Sequence, residues 1–397
     1  MKIAGLFAGI GGLELGLHKA GLEPAMLCEV WDPAIRVLDA RFVDVPKHRD
    51  ITDLTALPKE VDVVTAGFPC QDLSQAGLTA GIGGKKSGLV DHVFRLLDKR
   101  RVPLIILENV SFMLTLDKGA AMERVTAEFE ARGYRWAYRT VNSLSVLPQR
   151  RERVFFVASA SDIDPASVLF VDEVEPSAPV TRLDTHAHGF YWTEGTRGLG
   201  WAPDAIPTLK NGSTIGIPSP PAILLPSGEI VKPDIRDAER LQGFPEDWTE
   251  AAPDRQRWSL VGNAVTVDVA EWLGSRLKVP GRYDASRDKV WSRKRGGFPR
   301  AARFDGKQRY VVEISDFPVW KPREHLHDFL KHSGTPLSLR ATAGFLSRAQ
   351  ASSLRFVPGF LDAVRQHASV MQTQLELLKT GQSDHADRQV PSPLAAA

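Results

Sequence analysis

Cys70 sits in the run Gly67-Phe68-Pro69-Cys70-Gln71, directly after the strand-like stretch Val61 to Ala66. A thiol held in a proline-fixed turn at the carboxyl end of a central parallel strand is placed like a nucleophile. Glu108 follows Ile105-Ile106-Leu107 and so ends at the same sheet edge. A carboxyl beside a thiol can act as a general acid, or can hydrogen-bond a substrate that needs protonation. Arg151 and Arg153 are alternate residues leading into the strand Val154 to Ala158, so they can point together. Two guanidinium groups there would suit a phosphate or a carboxylate that must stay oriented. A second set could hold a nucleoside. The turn Phe7-Ala8-Gly9-Ile10-Gly11-Gly12 lets a ligand approach the backbone. Glu29 and Trp31 close the second strand as a ribose-hydroxyl acceptor and a purine-facing ring, and Asp50-Ile51 can meet an adenine edge. Taken alone, the glycine turn could serve a dinucleotide, a nucleoside or nothing. Cys28, on a strand with no such setting, reads as a small core hydrophobe.

The elements that must position these residues are legible up to about residue 160. Lys2 to Phe7 and Pro24 to Val30 read as strands; Leu13 to Ala20 and Pro33 to Phe42 read as helices. Strands at 61–66, 104–107 and 154–158 complete an α/β pattern: a Rossmann-like, mostly parallel sheet with helices on both faces. From Ser159 to about Ile230, proline, glycine and threonine break the periodicity, which predicts a smaller loop-rich β region. Helical texture returns at 237–241 and 265–277, so the chain is expected to leave the first domain and come back. The expected division is therefore 1–159 and 233–280 for the main domain, 160–232 for the small region, 281–375 for a basic α+β extension, and 376–397 for a disordered tail.

The ordered set of motifs resembles the DNA cytosine-C5 methyltransferase family. The matching segments are Phe7 to Gly12, Glu29-Val30-Trp31, Gly67 to Gln71, Glu108-Asn109-Val110, Gln149 to Arg153, Arg240-Leu241-Gln242-Gly243-Phe244-Pro245 and Gly262-Asn263-Ala264-Val265, spread over roughly residues 1 to 278. The resemblance implies methyl transfer from S-adenosylmethionine, leaving S-adenosylhomocysteine, to C5 of a cytosine flipped out of duplex DNA. It implies Cys70 as the nucleophile at C6, Glu108 as the group that holds N3 and the exocyclic amine, and Arg151 and Arg153 as their positioners, with Arg151 nearer the chemistry. It further implies that Phe7, Gly9, Gly11, Glu29, Trp31, Asp50, Ile51, Pro69, Leu89, Asn263 and Ala264 line the cofactor, and that Gln71 and Ser74 lie on a loop closing over the flipped base. In the family, the segment between the Gln-Arg-x-Arg and Leu-Gln-Gly-Phe-Pro motifs supplies target recognition, and here it forms the small β region. Methylation of tRNA, a catalytically silent DNA-binding role and nicotinamide-dependent oxidoreduction are the alternatives. The last is opposed by the missing G-x-G-x-x-G.

One departure concerns the two ends of that recognition segment. It spans only about 80 residues, while over 100 residues follow the last motif. Between Arg282 and Arg309 there are ten Lys or Arg against three Asp, interleaved with Trp291, Phe298 and Phe304. Basic residues mixed with aromatics can grip phosphates and stack on bases. Arg293, Lys294, Arg295, Arg300 and Arg303 are therefore expected on DNA phosphate, so that the C-terminal region shares the DNA contacts.

Composition bounds the rest. A formal net charge of +2 says little about partners, and two cysteines are too few for a disulfide framework or a four-cysteine zinc site, so no metal is expected. No apolar run reaches the roughly 18 to 20 residues that span a bilayer, and the N-terminus lacks a secretory layout. The expectation is a cytoplasmic monomer acting on double-stranded DNA, off the membrane. A cognate restriction endonuclease or phage-defence system is its expected partner.

Overall fold

The computed structural model describes residues 1–68, 88–176, 178, 182–196, 198–210, 220–292, 297–319 and 321–386. The chain divides into two compact units: 1–178, 208–219 and 235–324 form the first; 179–207, 220–234 and 325–397 form the second.

The first unit is built on one sheet. Its strands are β1 (Lys2–Leu6), β2 (Glu23–Cys28), β3 (Lys47–His48), β4 (Val61–Ala66), β5 (Leu104–Val110), β6 (Arg135–Asn142), β7 (Glu152–Ser159), β8 (Asp288–Val290), β9 (Ala301–Phe304) and β10 (Arg309–Val312). Among the described residues their order is β8-β10-β9-β6-β7-β5-β4-β1-β2-β3. From β3 to β5 all pairings are parallel; β7 runs against β5, and β6 returns to the common direction. Strands buried on both faces need apolar side chains on both, which is why β1, β4 and β5 read as near-continuous hydrophobic runs.

Helices cover both faces. In β2, Met26 and Cys28 join the core made with α3 (Leu89–Lys99) and α4 (Ala120–Ala131), through residues such as Val93, Phe94, Met122 and Phe129. Leu27, pointing the other way, joins α2 (Asp32–Arg41) and α5 (Asp254–Asn263) through Ile35, Leu38 and Leu260. On that second face α1 (Gly12–Lys19) lies against α6 (Val267–Lys278). Gly16 and Gly274 allow this approach. A Cβ at Gly16 would overlap the Val267 carbonyl oxygen and the Ala270 methyl, and one at Gly274 would sit 2.8 Å from the Ala20 Cβ.

The basic stretch takes a different place from the one its composition predicts. It forms β8, β9 and β10, which extend the main sheet through β9 against β6. Arg303 is only 8% exposed, pairs with Asp288 and Asp164 at 3.1 and 3.3 Å, and lies over the Tyr283 and Tyr310 rings. Arg300 pairs with Asp316 and Glu152. Arg309 pairs with Glu123 and Glu130. Phe298 is buried in the main core, and Trp291 and Phe304 pack against it. These aromatics are core, and Arg303 is a structural cation rather than a phosphate contact. Arg293, Lys294 and Arg295 lie outside the described residues.

The second unit also differs from the expected division, because its sheet draws on two separate stretches of the sequence. Strands 201–203, 188–190, 222–224, 230–232 and 335–336 form one antiparallel sheet in that order. Helices Leu339–Gln350 and Phe360–Ala386 pack on it through Phe190, Leu224, Ile230, Phe345 and Phe360. Residues 281–324 thus belong with the main sheet, while 325 onward completes the loop-rich region. The last helix runs to Ala386, past residue 376 where the disordered tail was expected to start.

The α1–α6 contact leaves no room for a side chain. Gly16→Ala should lower stability by about 1–3 kcal/mol through overpacking. Gly195→Ala, where an added Cβ meets nothing within 4 Å, should stay within about 0.5 kcal/mol. Urea denaturation of the two variants checks this.

Candidate active site

Strand register brings the candidate residues together. In β1, Leu6 pairs with Cys28 of β2 and with Ala66 of β4, and Ala66 pairs with Leu107 of β5. The next residue on each strand is Glu29, Phe7, Gly67 and Glu108, so these four lie side by side at the carboxyl edge, where β1, β2 and β4 end while β5 runs on against β7 to Val110. That edge is where parallel sheets bind ligands, because the loops there are free to diverge. A cavity of about 510 Å³ opens at this place. Its walls include Phe7, Gly9, Glu29, Trp31, Asp50, Ile51, Leu89, Asn263 and Ala264 from the expected cofactor set, and Glu108 and Arg153 from the expected catalytic set. Pro69, Cys70, Gln71 and Ser74 lie outside the described residues.

The nucleoside-type wall is organised by Glu29. Its carboxylate accepts the Gly9 amide at 2.8 Å through Oε2, and the Trp31 and Val30 amides at 2.8 and 2.9 Å through Oε1. It thereby ties the glycine turn to the start of α2. Phe7 holds a left-handed φ of 55°, a sparsely populated conformation for a non-glycine residue, at the point where β1 gives way to that turn. Asp50 Oδ1 accepts the Thr52 amide at 2.8 Å, and this hydrogen bond holds its carboxyl below the usual range. Gly11 has another role from the one expected. It is the left-handed N-cap of α1, and a Cβ there would overlap the Phe42 ring. Gly12 sits against the returning segment instead: a Cβ on it would lie 2.6 Å from the Val265 carbonyl oxygen. Cys28 is a buried wall residue whose thiol is pushed up to about 12 by burial, as suits an inert core cysteine.

On the other wall Glu108 is 8% exposed, and Arg153 Nε reaches its Oε1 at 3.1 Å. Burial raises the Glu108 carboxyl above its ordinary value, against the pull of Arg153 and Arg151. The two arginines do not share a task. Arg153 lines the cavity, whereas Arg151 is 1% exposed and donates to the backbone carbonyls of Leu209 (2.9 Å), Gly262 (3.2 Å) and Ala264 (2.7 Å). The arginine placed against Glu108 is therefore Arg153, and Arg151 is a positioning residue that anchors the Asn263-Ala264 wall. Alternation along a strand cannot predict this, because Arg151 lies just before β7 begins.

Three polar residues do work that their motifs hinted at without specifying. Asn109 Nδ2 donates to the Phe68 carbonyl at 2.9 Å, fixing the end of the segment that continues into Pro69-Cys70. Gln149 Nε2 donates to the Leu241 carbonyl and to Gln242 Oε1 at 2.7 and 3.1 Å. Gln242 Nε2 donates to the Val261 carbonyl at 2.9 Å, and Thr266 donates to Gln242 Oε1 at 3.0 Å. This buried network joins the three late motifs into one wall.

The model of the C-5 cytosine-specific DNA methylase family matches residues 1–182 and 184–279. The chain belongs to that family. The methylase is 43% identical over 389 residues to the Type II methyltransferase M2.BsuMI of Bacillus subtilis (strain 168), covering 92% of this chain and 98% of that protein. It is 27% identical over 312 residues to the Type II methyltransferase M.DsaV of Dactylococcopsis salina, covering 70% and 86%. The solved structure of S. pombe Dnmt2 methyltransferase matches with a TM-score of 0.51 and 18% identity over 70% of this chain and 98% of that one, a likeness of fold. The protein is thus a DNA (cytosine-5-)-methyltransferase. Among the described residues, no helix of the methylase is long and apolar enough to cross a membrane, and no cluster of metal-ligating side chains forms.

Two outcomes follow for the methylase. Arg151→Lys replaces the two separate nitrogens that reach these three carbonyls with one, and should cost about 1–3 kcal/mol, measured by denaturation. Because Glu108 titrates higher when folded than unfolded, its favourable contribution is complete below the ordinary carboxyl value of about 4.3 and is lost as pH rises through the folded value. Glu108→Gln removes that loss. Its melting temperature relative to wild type should therefore climb with pH, and a flat difference would contradict the assignment.

Proposed function

We propose that this methylase modifies cytosine in duplex DNA by covalent catalysis through Cys70. Its setting is a Type II restriction-modification system, as the names of its relatives suggest. The observation that carries the reading is the buried Glu108–Arg153 pair, one strand away from the Gly67-Phe68 segment that leads to Cys70, on the same cavity as a nucleoside-type wall.

The residues present fit S-adenosylmethionine. Open space lies where a Cβ on Gly9 would be, with its backbone in the left-handed region, so a ligand can rest on the turn. Glu29 suits ribose hydroxyls, Asp50 an exocyclic amine, and Trp31 and Ile51 an aromatic base. When bound, S-adenosylmethionine supplies an electrophilic methyl group for C5.

The protein's own residues prepare the cytosine. A base in a duplex hides its C6, so it must be drawn out at a cost of a few kcal/mol. The Cys70 thiolate bonds to C6 and pushes electron density to C5. Glu108, whose carboxyl burial shifts toward the protonated form, donates to N3 when it carries that proton and so offsets the charge that would otherwise build on the ring. Arg153 holds that carboxyl in place. Once C5 has gained a methyl group and lost its proton, the C6–sulfur bond breaks and the thiolate is restored. The second unit, which gathers 179–207 and 220–234 with the C-terminal helices, is the candidate reader of the target sequence, and Gln71 and Ser74 are the candidate loop contacts to the flipped base.

Duplex DNA carrying 5-fluorocytosine at the recognised site tests the scheme. The methylase should form a denaturant-stable adduct through residue 70. Cys70→Ser should give no adduct and no methyl transfer while retaining cofactor affinity. Labelled transfer to tRNA but not to duplex DNA would overturn the substrate assignment.

A further inference from the structure

Glu14 is a carboxyl that the scheme above leaves without a task. It stands on α1, is 1% exposed, and belongs to the cavity wall. Its Oε1 accepts the Thr65 hydroxyl at 2.6 Å. Its Oε2 is equally buried and has no hydrogen-bond partner among the described residues. The sheet makes room for the group, since a Cβ on Gly5 would lie 2.5 Å from Oε1 and 2.9 Å from Cδ. An unpaired acceptor in such a place costs about 1–3 kcal/mol, and more if charged.

The groups facing Glu14 do not explain it. β1 presents Gly5 and β4 presents Thr65. α6 meets α1 through the Val267 carbonyl, the Ala270 methyl, the Glu271 backbone nitrogen and Gly274, none of them a cation. Glu29 is a nearby like charge, and burial together with Glu29 pushes the Glu14 carboxyl up to about 7 against the Thr65 hydrogen bond. The other ionisable groups on the cavity wall are Arg49, Asp50, Glu108, Arg153 and the Cys28 thiol. Asp50 is tied to the Thr52 amide, and Arg153 to Glu108. Among the described residues, Glu14 is therefore a buried carboxyl that faces a cavity with no cation beside it.

We propose that Glu14 is the counter-charge for the cationic methionine end of S-adenosylmethionine, pairing with its positive charge beneath the glycine turn and releasing a proton to solvent as the cofactor binds. This rests on the reading of the cavity as the cofactor site. Near neutral pH the unliganded carboxyl is a mixture of acid and anion. An arriving cation favours the anion, so binding strengthens as pH rises through about 7.

Calorimetric titration of the full chain in buffers of different ionisation enthalpy, between pH 6 and 8, reads both quantities without turnover. Wild type should release a proton on binding S-adenosylmethionine. Glu14→Gln, which keeps the acceptor for Thr65, should abolish the release and the pH slope, and weaken binding at pH 8 by roughly tenfold to a hundredfold. Methylthioadenosine, which carries neither positive charge, should bind both proteins equally with no release. Release with S-adenosylhomocysteine as well identifies the ammonium as the partner; release with S-adenosylmethionine alone identifies the sulfonium. Pass or fail is legible in wild type alone, through the contrast with methylthioadenosine. Binding without proton release, or equal weakening of methylthioadenosine by Glu14→Gln, would overturn the proposal. If Glu29→Gln and Asp50→Asn leave methylthioadenosine affinity unchanged, the cofactor reading of the cavity falls instead.

Discussion

Three parallel strands that stop together beside a fourth, β5, which runs on to Val110, set everything else in the first unit. Their register is held by apolar side chains on both faces, so a one-residue slip would turn each buried residue to the wrong side. With Leu6, Cys28, Ala66 and Leu107 locked as neighbours, Glu29, Phe7, Gly67 and Glu108 have no choice but to emerge in a row. The cavity is the space those four diverging segments leave, and its chemistry is read off the residue that each strand delivers there.

A late segment closes that space, and polar burial is what holds it. Gln149, Gln242, Thr266 and Arg151 are all buried, and they join backbone carbonyls from three stretches of chain that meet only in the fold. Buried polar networks are costly to break, so the wall formed by Asn263 and Ala264 is held at several points at once. The dryness that makes the network costly to break also lifts the carboxyls of Glu108 and Glu14. One is offset by Arg153; the other, among the described residues, has a hydroxyl and no cation.

Much of this was readable along the chain. The strands at 2–6, 23–28 and 61–66 and the helices at 12–19 and 32–41 lie within a residue or two of where periodicity and turn residues put them. Nine of the eleven residues expected around the cofactor line the cavity. The basic stretch shows where reading fails. Ten cations within 28 residues suggest a phosphate surface, but Arg303 answers to Asp164 and Arg309 to Glu123 and Glu130, far away in sequence. Local spacing reports charge and cannot report a distant partner. The same holds for the aromatics Phe298 and Phe304, which fill a core made by strands and helices from the other end of the unit.

By itself the sequence determined the order of the motifs, the αβ alternation and hence the sheet edge at which chemistry collects, because these depend on neighbours within a few residues. Only the tertiary structure decided which arginine meets Glu108, that residues 325–386 complete the second sheet, and that Glu14 turns inward with an oxygen unmatched among the described residues. Those outcomes depend on desolvation and on which distant groups share a buried space, and neither quantity is carried by any single stretch of chain.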